Sequence, residues 1–337
     1  MLLMSLFLAC GDKSTDTSAT ATDTEQTDID TATDTEDIDD TEDTEDIVAG
    51  DITDIILDNR SGNCADYVQD SYSDVTDIQR NMAFSGDFVV TVSGSKCVFT
   101  TNSIPNHDFN DETAAFATPV AEVTASYEVT QNPIEGSTVE ELTLELDNAI
   151  FLNGAKLDLL PAACYGIGPD PVGQEKIGCN DISSPWRYDP MFGGNDFGTD
   201  AHRAHTQPDG TYHYHGDPLA LYDLDGTAES GVIGFAADGF PIFGPYINDN
   251  GTVRQVVSGY TLKTGPRVSQ QGEGAFPSGQ YDGTFRDDYE FTNAGDLDEC
   301  NGMTRDGVYG YYATAAFPWV MKCYKGIPDE SFRKMPN

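Results

Sequence analysis

The sequence predicts an all-β body, a sandwich or distorted barrel with long loops, stapled by disulfides and carried behind a disordered acidic tether. Three observations predict it. Apolar and polar residues alternate with a period of two, in short runs interrupted by Gly, Pro, Asn and Asp. No amphipathic helix of more than about three turns is visible. Once Cys10 is set aside, six cysteines remain, an even number with no C-x-x-C among them, which reads as a disulfide framework rather than a zinc knuckle.

The elements follow in chain order. The start, MLLMSLFLAC, is an apolar run of ten residues, too short to span a bilayer. It resembles the end of a bacterial lipoprotein signal peptide, with Cys10 as the lipidated residue, although no Lys or Arg precedes the run and Phe7 stands where Leu is usual. That resemblance implies a protein of the bacterial cell envelope, lipid-anchored or secreted, whose membrane contact runs through the lipid on Cys10. Residues 11–60 hold 18 Asp and Glu against Lys13 and Arg60, with no aromatic residue. Such a stretch buries too little surface to offset the entropy of ordering, and like charges extend it, so it is expected to be a linker.

The texture changes from residue 61. GDFVVTVSGSKCVFTT (86–101) alternates around a Ser-Gly turn as a hairpin does, and 118–161 continues with β-branched runs broken by Asn-Pro, Glu-Gly and Asn-Gly. A boundary near 160 is conceivable, but 61–330 is read as one β domain. Of the fifteen pairings six cysteines allow, the sequential one, Cys64–Cys97, Cys164–Cys179 and Cys300–Cys323, is expected because each pair brackets a turn-rich segment; the alternative is that some are free, buried thiols. The formal net charge is −41, and residues 61–337 alone carry 40 acids against 15 bases. A surface this acidic repels phosphate backbones, which excludes nucleic acid as a partner.

The chemistry is concentrated in one place. Of five histidines, His202, His205, His213 and His215 fall within fourteen residues. On an extended strand residues i and i+2 share a face, so TYHYHGD (211–217) turns His213 and His215 to one side and Tyr212 and Tyr214 to the other. The Pro-Asp-Gly at 208–210 favours chain reversal, which would bring His205 back beside the pair. Three imidazoles with an open position make a catalytic type of site, and a fourth from His202 would make it structural. Zinc and copper are the metals that suit imidazole. Asp217 is a further candidate ligand or orienting group, and Asp238, in the ADGFP turn between apolar strands, a candidate catalytic carboxylate. A divalent metal so held would support metal-dependent hydrolysis. The competing reading is a non-catalytic surface module for a small molecule, glycan or protein, its histidines only hydrogen-bonded scaffold. YDLDGTAESG (222–231) has part of a calcium loop's spacing, and the aromatic run at 309–326 reads as core.

AHTQPDGTYHYHGDP (204–218), IGFAADGFPIFGPY (233–246) and LDECNG (297–302) with YYATAAFPWVMKCYKG (311–326) together resemble the bacterial YHYH-domain family, whose members are mostly exported or lipid-anchored and have no established reaction. The resemblance implies roles for His205, His213, His215 and Asp238. Relatives more often have Asn where His202 stands, and a His in a Tyr-His-Tyr context where this chain has Gly310.

Overall fold

The strands at 69–101 fold as their alternation requires. In the computed structural model, which describes residues 49–112, 114–168 and 177–334, the strand Gln69–Asp77 pairs antiparallel with Met82–Ser93, which pairs with Lys96–Thr101 and then Ala125–Thr130. Phe88, Val90, Cys97, Phe99, Tyr127 and Val129 point to one buried face, while intervening residues such as Asp87 and Thr91 face outward. Gly50–Asp51 adds a parallel edge strand to this five-stranded sheet.

The second sheet has eight strands, in the order Gly302–Arg305, Val308–Tyr312, Pro241–Phe243, Val232–Ala236, Ala149–Phe151, Lys156–Leu157, Tyr212–Tyr214 and Ala204–Thr206. Its central strands are buried at every position, so this sheet is covered on both faces. One cover is the five-stranded sheet. Phe99 and Phe235 meet across the layers with ring centroids 5.9 Å apart, and each such side chain contributes roughly 1.5–3 kcal/mol through burial. At Gly154, with φ at +83°, a Cβ would come within 2.7 Å of Thr101 Oγ1, whose hydroxyl donates to the Gly154 carbonyl at 2.8 Å. Only glycine fits that close approach.

Both sheets are open, so of the two architectures expected from sequence the barrel is not formed. Among the described residues helix is confined to three 3₁₀ turns, at Cys64–Tyr67, Arg286–Asp288 and Glu330–Phe332. None is long and apolar enough to cross a membrane. The cysteines pair sequentially as expected, Cys64–Cys97, Cys164–Cys179 and Cys300–Cys323.

The body begins earlier than composition indicates. Residues 49–60, assigned to the end of the 11–60 linker, are packed: Ile52 N donates to Tyr72 O at 2.8 Å, and Leu57 N to Leu221 O at 2.9 Å. Of the four aliphatic residues in DITDIILDN, Ile52 is in the core and Leu57 packs against it, a contribution lost when composition is averaged over the whole acidic stretch. The segment 1–10 with Cys10, and the linker as far as residue 48, lie outside the described residues.

Candidate metal centre

The hairpin that builds the site is set by its turn. Gly210 N donates to Gln207 O and Gln207 N to Thr211 O, both at 2.9 Å, and the Asp209 carboxylate caps Thr211 N at 2.9 Å. Gly210 has φ of +91°, and a Cβ there would lie 2.9 Å from Pro119 O. The returning strand places His213 directly opposite His205 in antiparallel register, with Lys156 as its partner on the other side.

Alternation then sorts the side chains. Tyr212 and Tyr214 point into the space between the sheets, where their rings meet Phe109, Phe116, His107 and Phe151. Both hydroxyls are satisfied. Tyr212 donates to Asp200 Oδ2 at 2.9 Å. Tyr214 receives Asn153 Nδ2 at 2.8 Å and donates to His107 Nε2 at 2.6 Å, because His107 Nδ1 faces the Asp108 carbonyl and must carry the proton.

The three histidines converge away from that layer. His215 Nε2 lies 3.0 Å from His205 Nε2 and 3.2 Å from His213 Nε2, and one ligand atom from each falls within 4.8 Å of the others. His213 and His215 are buried, and His205 is partly exposed. A divalent ion bound tetrahedrally at about 2.0–2.1 Å per nitrogen sets its imidazole nitrogens about 3.3 Å apart. The two separations made by His215 approach that value.

The tautomers sharpen the point. His205 Nδ1 lies 2.7 Å from Phe197 O and His213 Nδ1 3.4 Å from Thr211 O. A carbonyl only accepts, so both Nδ1 atoms are the protonated ones and both Nε2 atoms present bare lone pairs. His215 Nε2 sits between them, and a single N–H there serves one neighbour at a time. Burial pushes all three rings below the usual histidine range, and His213 and His215 go well below it because neighbouring histidine charges add to burial there. Protonation is therefore a poor way to fill the centre. Two or three lone pairs aimed at one buried point are the donor set of a cation site.

The other expected site residues are placed elsewhere. His202 precedes the strand, stacks on His107 with centroids 3.8 Å apart, and sets its Nδ1 3.0 Å from Pro218 O. Asp217 is buried, accepting from Tyr222 Oη at 2.5 Å and Leu219 N at 3.2 Å. Asp238 does face inward, as its turn implies, accepting from Tyr311 Oη at 2.6 Å and Gly326 N at 2.9 Å, and it is not in the cluster formed by the trio. Among the described residues, the cluster able to hold a metal contains His205, His213 and His215 only. Asp223 turns its carboxylate onto its own loop, accepting from Asp225 N at 3.0 Å and Thr227 N at 2.9 Å, and so shows no calcium-loop geometry.

Sequence reasoning missed three contributors. The Phe197 carbonyl fixes the His205 ring, and a main-chain group leaves no residue-type signature. His107, outside the cluster, holds Tyr214; burial pushes it down to about 3, so it stays neutral. A charged network flanks the trio. In it Lys156 Nζ reaches Asp147 at 3.0 Å and Gln207 Oε1 at 3.0 Å, and Lys334 Nζ reaches Asp158 at 2.5 Å. Two cavities approach the same region. One of about 440 Å³ has Phe197 and Arg203 in its wall, and one of about 630 Å³ has Lys156, Gln207 and Thr211.

A model of the YHYH protein family matches residues 126–326. No curated protein and no solved structure matches the chain.

Proposed function

We propose that this chain, which belongs to the YHYH protein family, is an exported, lipid-anchored protein of the bacterial cell envelope that binds one divalent transition metal through His205, His213 and His215. The observation that supports this most is that His215 Nε2 lies 3.0 Å from His205 Nε2 and 3.2 Å from His213 Nε2, with all three ligand atoms within 4.8 Å of one another and two Nδ1 protons committed to carbonyls. Zinc and copper(II) are the ions that this all-imidazole donor set fits. Three protein ligands leave an ion one position for solvent or substrate, and a bound ion would supply the Lewis acidity of a metal-dependent hydrolase. The cavity walled by Phe197 and Arg203 is mainly polar, which suits a polar substrate. The protein's own part is to orient the rings through Phe197 and Thr211 and to keep them neutral through burial.

The lipid-anchor reading rests on MLLMSLFLAC and the acidic stretch after it; loss of radiolabelled palmitate incorporation in Cys10→Ser tests it. Titration of Zn(II) and Cu(II) into chelator-stripped, untagged protein tests the site. Saturation at about one equivalent that disappears in His205→Ala supports it. Equal uptake by wild type and His205→Ala overturns it.

A further inference from the structure

Only 17 of 337 residues are Lys or Arg, against 58 acids, yet three of them, Arg187, Arg286 and Lys322, line a single cavity of about 360 Å³. We infer that this cavity binds a small oxyanion, a carboxylate or a phosphate group. These three cations outnumber the two carboxylates in the same wall, Glu141 and Asp287. Arg286 makes no side-chain hydrogen bond and no ion pair among the described residues; its guanidinium lies over the Phe317 ring, 5.1 Å from the centroid, and its Nη1 is enclosed without a partner. Arg187 is held by neutral acceptors, the carbonyls of Pro161 at 2.6 Å, Cys179 at 3.2 Å and Asp181 at 2.9 Å, which fix its position and leave its charge. Lys322 reaches Glu141 only at 3.5 Å, and that carboxylate is mostly in solvent.

Glu141 and Asp287 share the cavity wall and Asp189 lies near Arg286, so their charges offset part of the excess, but none of them hydrogen-bonds the Arg286 guanidinium. Asp287 Oδ2 accepts from Trp186 N at 2.6 Å. Asp189 takes Trp319 Nε1 at 3.0 and 3.1 Å and Met191 N at 3.0 Å. Burial, followed by the charge of Arg286, pushes Arg187 down to about 10 and lowers Lys322 as well. Partly desolvated like charges held together are costly unless an anion joins them. A guanidinium fork with free donors is the group that takes a carboxylate or phosphate in two-point contact. Leu142 and Leu160 form the apolar back of the cavity, so an ester or side chain carrying the anion has somewhere to lie.

The experiment uses the untagged full chain stripped of metal with EDTA and then dialysed into EDTA-free buffer, which keeps the histidine trio out of the readout and leaves no competing polycarboxylate. Inorganic phosphate and acetate are titrated separately at ionic strength matched with sodium chloride, and binding is followed by calorimetry and thermal melting. Saturable binding of either anion, weakened at least tenfold in both Arg286→Gln and Lys322→Gln, is the expected result. Phosphate alone identifies a phosphate site and acetate alone a carboxylate site. Lys322 is partly exposed, so its variant tests the site even if Arg286→Gln folds poorly. No saturable binding of either anion, or an unchanged response in Lys322→Gln, overturns the inference, as does binding that appears only when zinc or copper is added back.

Discussion

Replacing Tyr214 by Phe tests the division of labour between the two faces of the histidine strand. The change removes one oxygen and leaves the ring in its pocket against Phe151 and His107. That oxygen serves two buried groups, His107 Nε2 at 2.6 Å and Asn153 Nδ2 at 2.8 Å. His107 keeps its proton on Nδ1 because of the Asp108 carbonyl, so its Nε2 becomes an orphaned acceptor. Asn153 Nδ2 retains its bond to Asn106 at 3.2 Å and loses the one to Tyr214, while its Oδ1 still accepts from Ala155 N. Each orphaned group costs about 1–3 kcal/mol, so the variant should be less stable by about 2–6 kcal/mol. Urea unfolding with the disulfides intact measures this. Metal stoichiometry should be unchanged, because the imidazoles of His213 and His215 leave the strand on the opposite side. A loss below about 1 kcal/mol, or a loss of metal with the fold intact, would refute the reasoning.

Further outcomes are expected. Burial holds His107 at about 3, against about 6.5 in the unfolded chain, so between those values the unfolded state binds more protons and stability falls as pH drops, by about 1.4 kcal/mol per pH unit from this residue. The stability advantage of wild type over His107→Gln should therefore narrow on acidification below pH 6.5; a gap constant to pH 4 contradicts the assignment. Asp238→Asn should lower the melting temperature, since a carboxylate that accepts from Tyr311 and Gly326 is replaced, yet leave metal content unchanged; elemental analysis checks it. His202→Ala should likewise retain the metal. From loop entropy, removing Cys164–Cys179 (separation 15) should cost about 3 kcal/mol and removing Cys64–Cys97 (separation 33) nearer 4, as read from urea midpoints of the paired Cys→Ala variants.

What the sequence revealed and what it hid have physical causes. The facing of His213 and His215 was legible because side-chain direction in a strand is fixed by parity alone. The return of His205 was legible because Pro-Asp-Gly is a turn with a mechanism. His202 was misplaced for a local reason: the strand begins only at Ala204, and Arg203, in the left-handed region at φ 62°, turns the preceding residue off the hairpin face toward His107. Asp238 was correctly read as inward-facing, but the direction of a turn says nothing of which interior group meets it, and here that group is Tyr311. The packing of 49–60 was hidden by averaging. The cluster of Arg187, Arg286 and Lys322 was invisible because residues this far apart in sequence meet only through tertiary folding. The open sheets, rather than a barrel, follow from strand pairing between distant segments, which local alternation does not encode.

The most direct test of the metal account is elemental analysis of the untagged protein purified without chelator. The account expects about one zinc or copper per chain, and nearly none in His205→Ala prepared identically. Metal content near zero in folded wild-type protein, with no uptake when zinc or copper is supplied, would contradict it.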